Sequence, residues 1–245
     1  MTLEGSFDSR ITPRLSLWRG VAAVLLALPA VQTNADAGPP SRCFGTVGHG
    51  RIDHAVSMPA AGPNFRAYSR LGSTFGRTYV HSEVRDVVVA SYAALAKTMP
   101  DKTFVYGETG LARGGRFRPH RTHQNGLSVD FMVPVADASG RSAPLPGDAM
   151  NQFGYDIRFD AAGRYGDYVI DFEAMAEHLH QLQLAAAARG IGISLVIFEP
   201  TYHERLFAAR RGASLRTLPW LQKAAWIRHD GHYHVDFIVP CSSLK

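Results

Sequence analysis

The chain has 245 residues, 46% of them hydrophobic and 19% charged, with a formal net charge of +5, 23 glycines and 14 prolines. It is too apolar and too weakly charged for a mainly disordered protein, and its glycines follow no collagen-like period, so disorder and fibre are both excluded. Two cysteines, Cys43 and Cys241, cannot build a thiolate cage for structural zinc or a dense disulfide scaffold, so any metal must rest on carboxylates and on the eleven histidines.

At the N-terminus, Arg10, Arg14 and Arg19 precede an uncharged apolar run from Gly20 to Val31, and Ala35-Asp36-Ala37 then supplies a small-residue cleavage pattern. That order predicts a secretory signal peptide over residues 1–37 and a single domain over 38–245. The run is about 12 residues, short of the ~20 a spanning helix needs, so no stable membrane span is expected after cleavage. An uncleaved anchor is the alternative. Removing residues 1–37 takes three arginines and three acids, and the charge stays +5. An exported basic protein meets anionic envelope polymers, and no nucleic-acid partner is expected. In an oxidising compartment Cys43 and Cys241 are expected to pair, closing nearly the whole domain into one loop.

Further along, Ser82 is a candidate N-cap for a helix whose apolar positions Val84, Val87, Val88, Ala94 and Leu95 recur until Pro100. Residues 103–106 and 127–133 read as strands, ended by Gly107 and Pro134. Residues 134–168 are rich in Gly, Pro, Asp and Ser and read as an excursion of loops. Asp171 then caps a helix running to Arg189, with Gly190 at its end. Residues 193–198 form a buried strand, 202–211 a helix and 233–239 the last strand. Without a regular βαβ period, this order predicts an α+β fold with a central antiparallel sheet and flanking helices.

The sequence has no G-x-S-x-G elbow, Walker loop or dinucleotide fingerprint, and His203-Glu204 opens a zincin-like pattern whose second histidine is replaced by Phe207. Two His-rich segments remain, residues 114–130 and 229–236. His232 and His234 leave one face of a strand while Tyr233, Val235, Phe237 and Val239 leave the other. Asp130 likewise projects opposite Val129, Phe131 and Val133, and Gly126 lets the chain turn so that His123 comes back to the same point. Two histidines and an aspartate make a three-ligand zinc site with a fourth position for water, the layout of catalytic zinc. His54, His81, His178, His180 and His203 have no such company and read as surface or packing residues.

At these residues the chain resembles the LAS-type zinc peptidases, which share S-x-H-x-x-G-x-A-x-D and a later H-x-H, and among them the penicillin-insensitive murein endopeptidases. Residues 107–130 and 226–235 carry the similarity. It implies an LAS/hedgehog-like fold with zinc held by His123, Asp130 and His234. His232 would then orient water or stabilise the tetrahedral intermediate, with His229 in support. His120 matches a further pocket histidine, and Arg116, in the preceding GGRF segment, is a candidate anchor for a stem-peptide carboxylate. Arg121 and Ser128 stand where the broad pattern has Ser and Ala. Relatives can add a second metal through the residue matching His120 and a downstream Asp-x-x-His pair. No such pair occurs between Pro134 and Tyr168, which leaves His120 open between a ligand, a hydrogen-bonding residue and a substrate contact. The implied activity is periplasmic hydrolysis of the D-alanyl to meso-diaminopimelyl cross-link of peptidoglycan. A D,D- or L,D-carboxypeptidase and a non-catalytic wall-binding module are the alternatives.

Overall fold

A computed structural model describes residues 38–223 and 225–244; the signal segment expected over residues 1–37 lies outside them. The described chain opens with a hairpin, β1 (Arg42–Thr46) against β2 (His49–Asp53), followed by β3 (Val56–Ser57), β4 (Phe65–Ala67), α1 (Arg70–Thr74) and β5 (Tyr79–Val80). Next come α2 (Ser82–Thr98), β6 (Phe104–Tyr106) and β7 (Ser128–Met132). Short strands β8 (Val135–Ala136), β9 (Ser142–Ala143), β10 (Arg164–Tyr165) and β11 (Tyr168–Ile170) occupy the excursion. The chain then continues through α3 (Phe172–Ala188), β12 (Gly192–Ile197), α4 (His203–Ala208), α5 (Gly212–Leu215) and β13 (His232–Ile238). The fold is mixed α+β, and none of the described helices is long and apolar enough to cross a membrane.

The central sheet has the order β12-β13-β7-β6-β4. Its first three pairings are antiparallel, but β4 and β6 run parallel, so the sheet is not wholly antiparallel as expected. The connection from β4 to β6 passes through α1, β5 and α2, long enough to carry the chain back to its starting end, which a parallel pair requires. The excursion is more ordered than a set of loops: β10, β11, β8 and β9 form a second, four-stranded sheet.

Alternation along the central strands divides the sheet into two faces. Val129 and Phe131 of β7 and Tyr233, Val235 and Phe237 of β13 are buried in the core with Val84, Val87, Val88, Tyr92 and Leu95 of α2 and Met175, Leu179 and Leu182 of α3. His178 on α3 joins these layers, stacked on Tyr92 and meeting Phe131 edge-on at 4.8 Å. The helices therefore cover the apolar face. Asp130, His232, His234 and Asp236 project from the other.

The helix caps follow the sequence with one correction. Asp171 caps α3, its carboxylate accepting from the Ala174 N–H at 3.0 Å. For α2 the cap is His81 rather than Ser82: the His81 Nδ1 accepts from the Glu83 N–H at 3.2 Å, while the Ser82 N–H donates to Ser41 Oγ. The helix expected over 202–211 stops at Ala208 as α4, because Ala209 takes an extended conformation, and α5 starts only at Gly212. The Arg210 N–H then donates to the Glu173 carboxylate instead of continuing the helix.

Cys43 and Cys241 form a disulfide, their Cα atoms 4.8 Å apart and 198 positions apart in sequence. Beside it, Phe44 bridges Ser242, so the C-terminal segment lies along β1.

Candidate metal centre

The register of β13 against β7 sets His234 directly opposite Asp130. Asp130 Oδ1 lies 2.8 Å from His234 Nδ1 and 3.2 Å from His123 Nε2. Its Oδ2 accepts from the Tyr155 hydroxyl at 3.0 Å and stands 3.6 Å from His120 Nδ1. His120, His123 and Asp130 each offer a ligand atom, all within 4.8 Å of one another. The structure thus gathers four of the expected residues at one point.

His123 reaches it through two left-handed residues. Its own φ is +66°, uncommon for a side chain with a Cβ, and Gly126 follows at +79°. A Cβ on Gly126 would come within 2.6 Å of Ile52 Cδ1 and 2.9 Å of the His81 nitrogen, so only glycine fits the turn. The His123 N–H donates to Ser128 Oγ at 3.2 Å.

Neighbouring groups fix which ring nitrogens are bare. His123 Nδ1 faces the Thr109 carbonyl at 3.2 Å and must donate to it, so Nε2 carries the lone pair. That Nε2 is fully buried without a hydrogen-bond partner. His234 Nε2 faces Asp236 Oδ1 at 2.8 Å, and Asp236 Oδ1 also accepts from Ser128 Oγ at 2.5 Å. With Nε2 donating to Asp236, the His234 Nδ1 turned to Asp130 calls for a positive charge between them, a proton or a metal ion. Lone pairs from two imidazoles and a carboxylate so converged repel unless a cation lies among them, and stranding a buried acceptor costs ~1–3 kcal/mol. Nitrogen and carboxylate donors with a carboxylate behind one histidine are a donor set that fits a divalent metal such as zinc.

The same charges appear in the titration of the site. Burial alone would lower the His234 pKa, but Asp236 and Asp130, one against each ring nitrogen, push it up to about 10. Burial opposes ionisation of Asp130, yet His123 and His234 hold its carboxyl well below the usual range. The site attracts positive charge.

Around this point stand groups that the sequence reading did not find. Glu108 accepts from Tyr68 at 2.7 Å, from Arg77 Nε and Nη2 along one guanidinium edge, and faces His120 Nε2 at 2.5 Å. Burial raises the Glu108 pKa, but the hydrogen bonds from Arg77 and His120 bring it to about 2. Tyr155, carried by a 3-10 turn over Ala149–Gly154, accepts from the Glu108 N–H at 2.8 Å while donating to Asp130. His232 is buried with its Nδ1 unpartnered, and its ring centroid is 4.6 Å from those of Tyr155 and His229. Burial lowers the His232 pKa to about 3, so the ring is neutral. His229 Nδ1 bonds the Ile227 carbonyl at 2.8 Å. Arg116 is exposed and makes no hydrogen bond or ion pair among the described residues.

Ser128 and Asp236 were legible by the same alternation that picked out Asp130 and His234, since each lies two positions away on the same face. Ser128 ties the His123 backbone to the carboxylate behind His234. Replacing it with alanine removes both contacts, and chelator competition is expected to show metal affinity weakened by about 10-fold, the lower end for loss of such outer partners. Unchanged affinity would show that the hydroxyl does not hold the ligands.

A mixed sheet and its adjoining loop bring histidines and a carboxylate together in a cluster that could hold a metal ion, the arrangement of a metal-dependent enzyme. The chain belongs to the penicillin-insensitive murein endopeptidases, whose family model matches residues 43–245, and it is a metallopeptidase enzyme. Comparison with curated proteins finds no match.

Proposed function

We propose that this murein endopeptidase uses zinc and hydrolyses the D-alanyl to meso-diaminopimelyl cross-link of peptidoglycan. The observation that carries the reading is the orphaned His123 Nε2, buried 3.2 Å from Asp130, which itself lies opposite His234 in the sheet. His123 Nε2, Asp130 and His234 Nδ1 would hold the metal. His120 stands within reach as a further nitrogen, its other ring nitrogen engaged by Glu108. Zinc held there would lower the pKa of a water and polarise the scissile carbonyl.

The remaining roles fall to the chain. Asp236 and Thr109 fix the tautomers of His234 and His123. Tyr155 holds Asp130 through the hydroxyl it also anchors on the Glu108 backbone. Neutral His232 offers an N–H to the developing oxyanion or accepts a proton at its free nitrogen, with His229 packed behind it. Exposed Arg116, on the loop ahead of His120, is assigned a stem-peptide carboxylate through a bidentate contact. A murein substrate sets the workplace at the cell wall or periplasm, in keeping with the signal segment read over residues 1–37.

Product analysis on defined muropeptides tests the bond. Cross-linked dimers should be split into two monomers while monomers stay intact. Loss of a terminal residue from monomers would make the enzyme a carboxypeptidase instead.

A further inference from the structure

Next to the catalytic histidines lies a cleft of about 460 Å³ that the reaction described above does not use. Phe198, Pro200 and Ile227 give it apolar walls, Glu199 and Arg228 give it a pair of opposite charges, and His229 also lines it. The cleft and the reacting centre share that histidine: the Glu199 N–H donates to the His229 carbonyl at 2.9 Å, and the His229 ring packs 4.6 Å from His232.

The two charges form an ion pair without a direct hydrogen bond. Glu199 Oε2 is 3.8 Å from Arg228 Nε, beyond hydrogen-bond range. Glu199 is anchored through its other oxygen, which accepts from Thr201 Oγ1 at 2.9 Å. Arg228 is anchored through Nη2 on the Phe159 carbonyl at 3.0 Å and through Nε, 3.1 Å from Asp230 Oδ2. Among the described residues no group donates to Glu199 Oε2 and none accepts from Arg228 Nη1. An immobilised carboxylate and guanidinium side by side, over an apolar wall, complement an ammonium and a carboxylate on one carbon at the end of a methylene chain.

We infer that this cleft binds the zwitterionic side-chain head of the diaminopimelyl residue that precedes the scissile D-alanyl group in the donor stem. The inference rests on the cross-link reading above. In a dimer the donor keeps that head free, whereas the acceptor's ammonium is consumed in the cross-link amide, so only the donor presents both charges. The three methylenes between the stem backbone and the head run along Phe198, Pro200 and Ile227. The cleft then sets which stem lies on the acyl side of the bond.

The test uses the full metal-loaded chain and two pairs of ligands, each pair differing only in acetylation of the donor head ammonium: cross-linked dimers for kinetics and monomeric tetrapeptides for calorimetry. Within a pair any contact with the metal is common to both members and cancels. In the wild type, acetylation should raise KM for the dimer about tenfold with little change in kcat, and weaken tetrapeptide binding about tenfold. Glu199→Gln keeps the Thr201 hydrogen bond and the fold, checked by its melting temperature, and should bind both tetrapeptides with equal, weakened affinity. Binding indifferent to acetylation in the wild type, or a Glu199→Gln variant as sensitive to it as the wild type, would overturn the assignment. Acetylation-sensitive binding that Glu199→Gln abolishes, together with no turnover of either dimer, would uphold the cleft and reject the cross-link reading.

Discussion

Replacing His123 with alanine is expected to lower kcat/KM on a cross-linked muropeptide by about 10³-fold or more, with the fold retained. The size follows from what the residue supplies: a bound metal contributes several kcal/mol at the transition state, and each ~1.4 kcal/mol is a factor of ten. His123 offers a nitrogen beside Asp130 whose lone pair is buried with no hydrogen-bond partner, its tautomer set by the Thr109 carbonyl. Alanine removes that donor without touching the apolar face of the sheet, so the melting temperature of the metal-free protein should move little. Steady-state kinetics beside a metal-content measurement checks both halves. A His123→Ala protein that retains activity or a full metal complement would place the centre elsewhere.

The second large effect concerns stability. The Cys43–Cys241 bond closes a loop spanning 198 positions, and the chain-entropy account values such a closure at roughly 5 kcal/mol, an upper figure because residual structure in the unfolded chain reduces it. A Cys43→Ser, Cys241→Ser double variant is therefore expected to lose about 3–5 kcal/mol in denaturant unfolding. The bond also reaches the site. Asn125, between His123 and Gly126, packs its side-chain nitrogen 3.7 Å from Cys241 Sγ, so releasing the C-terminal segment removes a support from the turn that delivers His123. A loss below about 1 kcal/mol would mean that the β1–β2 hairpin and the Phe44–Ser242 bridge hold the ends without the bond.

Alternation made the two site strands readable. In β13 the apolar residues and the histidines fall on opposite phases, and β7 repeats the arrangement around Asp130, so the pairing of His234 with Asp130 followed once the two strands lay side by side. The long helices were equally plain, because their apolar positions recur at helical spacing over 17 residues each. The hairpin β1–β2 was not, since Gly45, Gly48 and Gly50 break up any alternation along it. The parallel placement of β4 beside β6 depends on how a long crossover packs, which no local pattern records. Glu108 and Tyr155 escaped for a related reason. Neither belongs to a cluster in the sequence, and Tyr155 reaches Asp130 only because the excursion folds into a small sheet with a tight turn before it.

The central claim is that a metal held by His123, Asp130 and His234 drives cleavage of the peptide cross-link. It is tested most directly by following a defined D-alanyl to meso-diaminopimelyl dimer with the purified protein before chelation, after chelation and after return of zinc. The expected result is release of two monomers, arrest by the chelator and recovery with zinc. Cleavage that continues at full rate in the metal-stripped protein would contradict it.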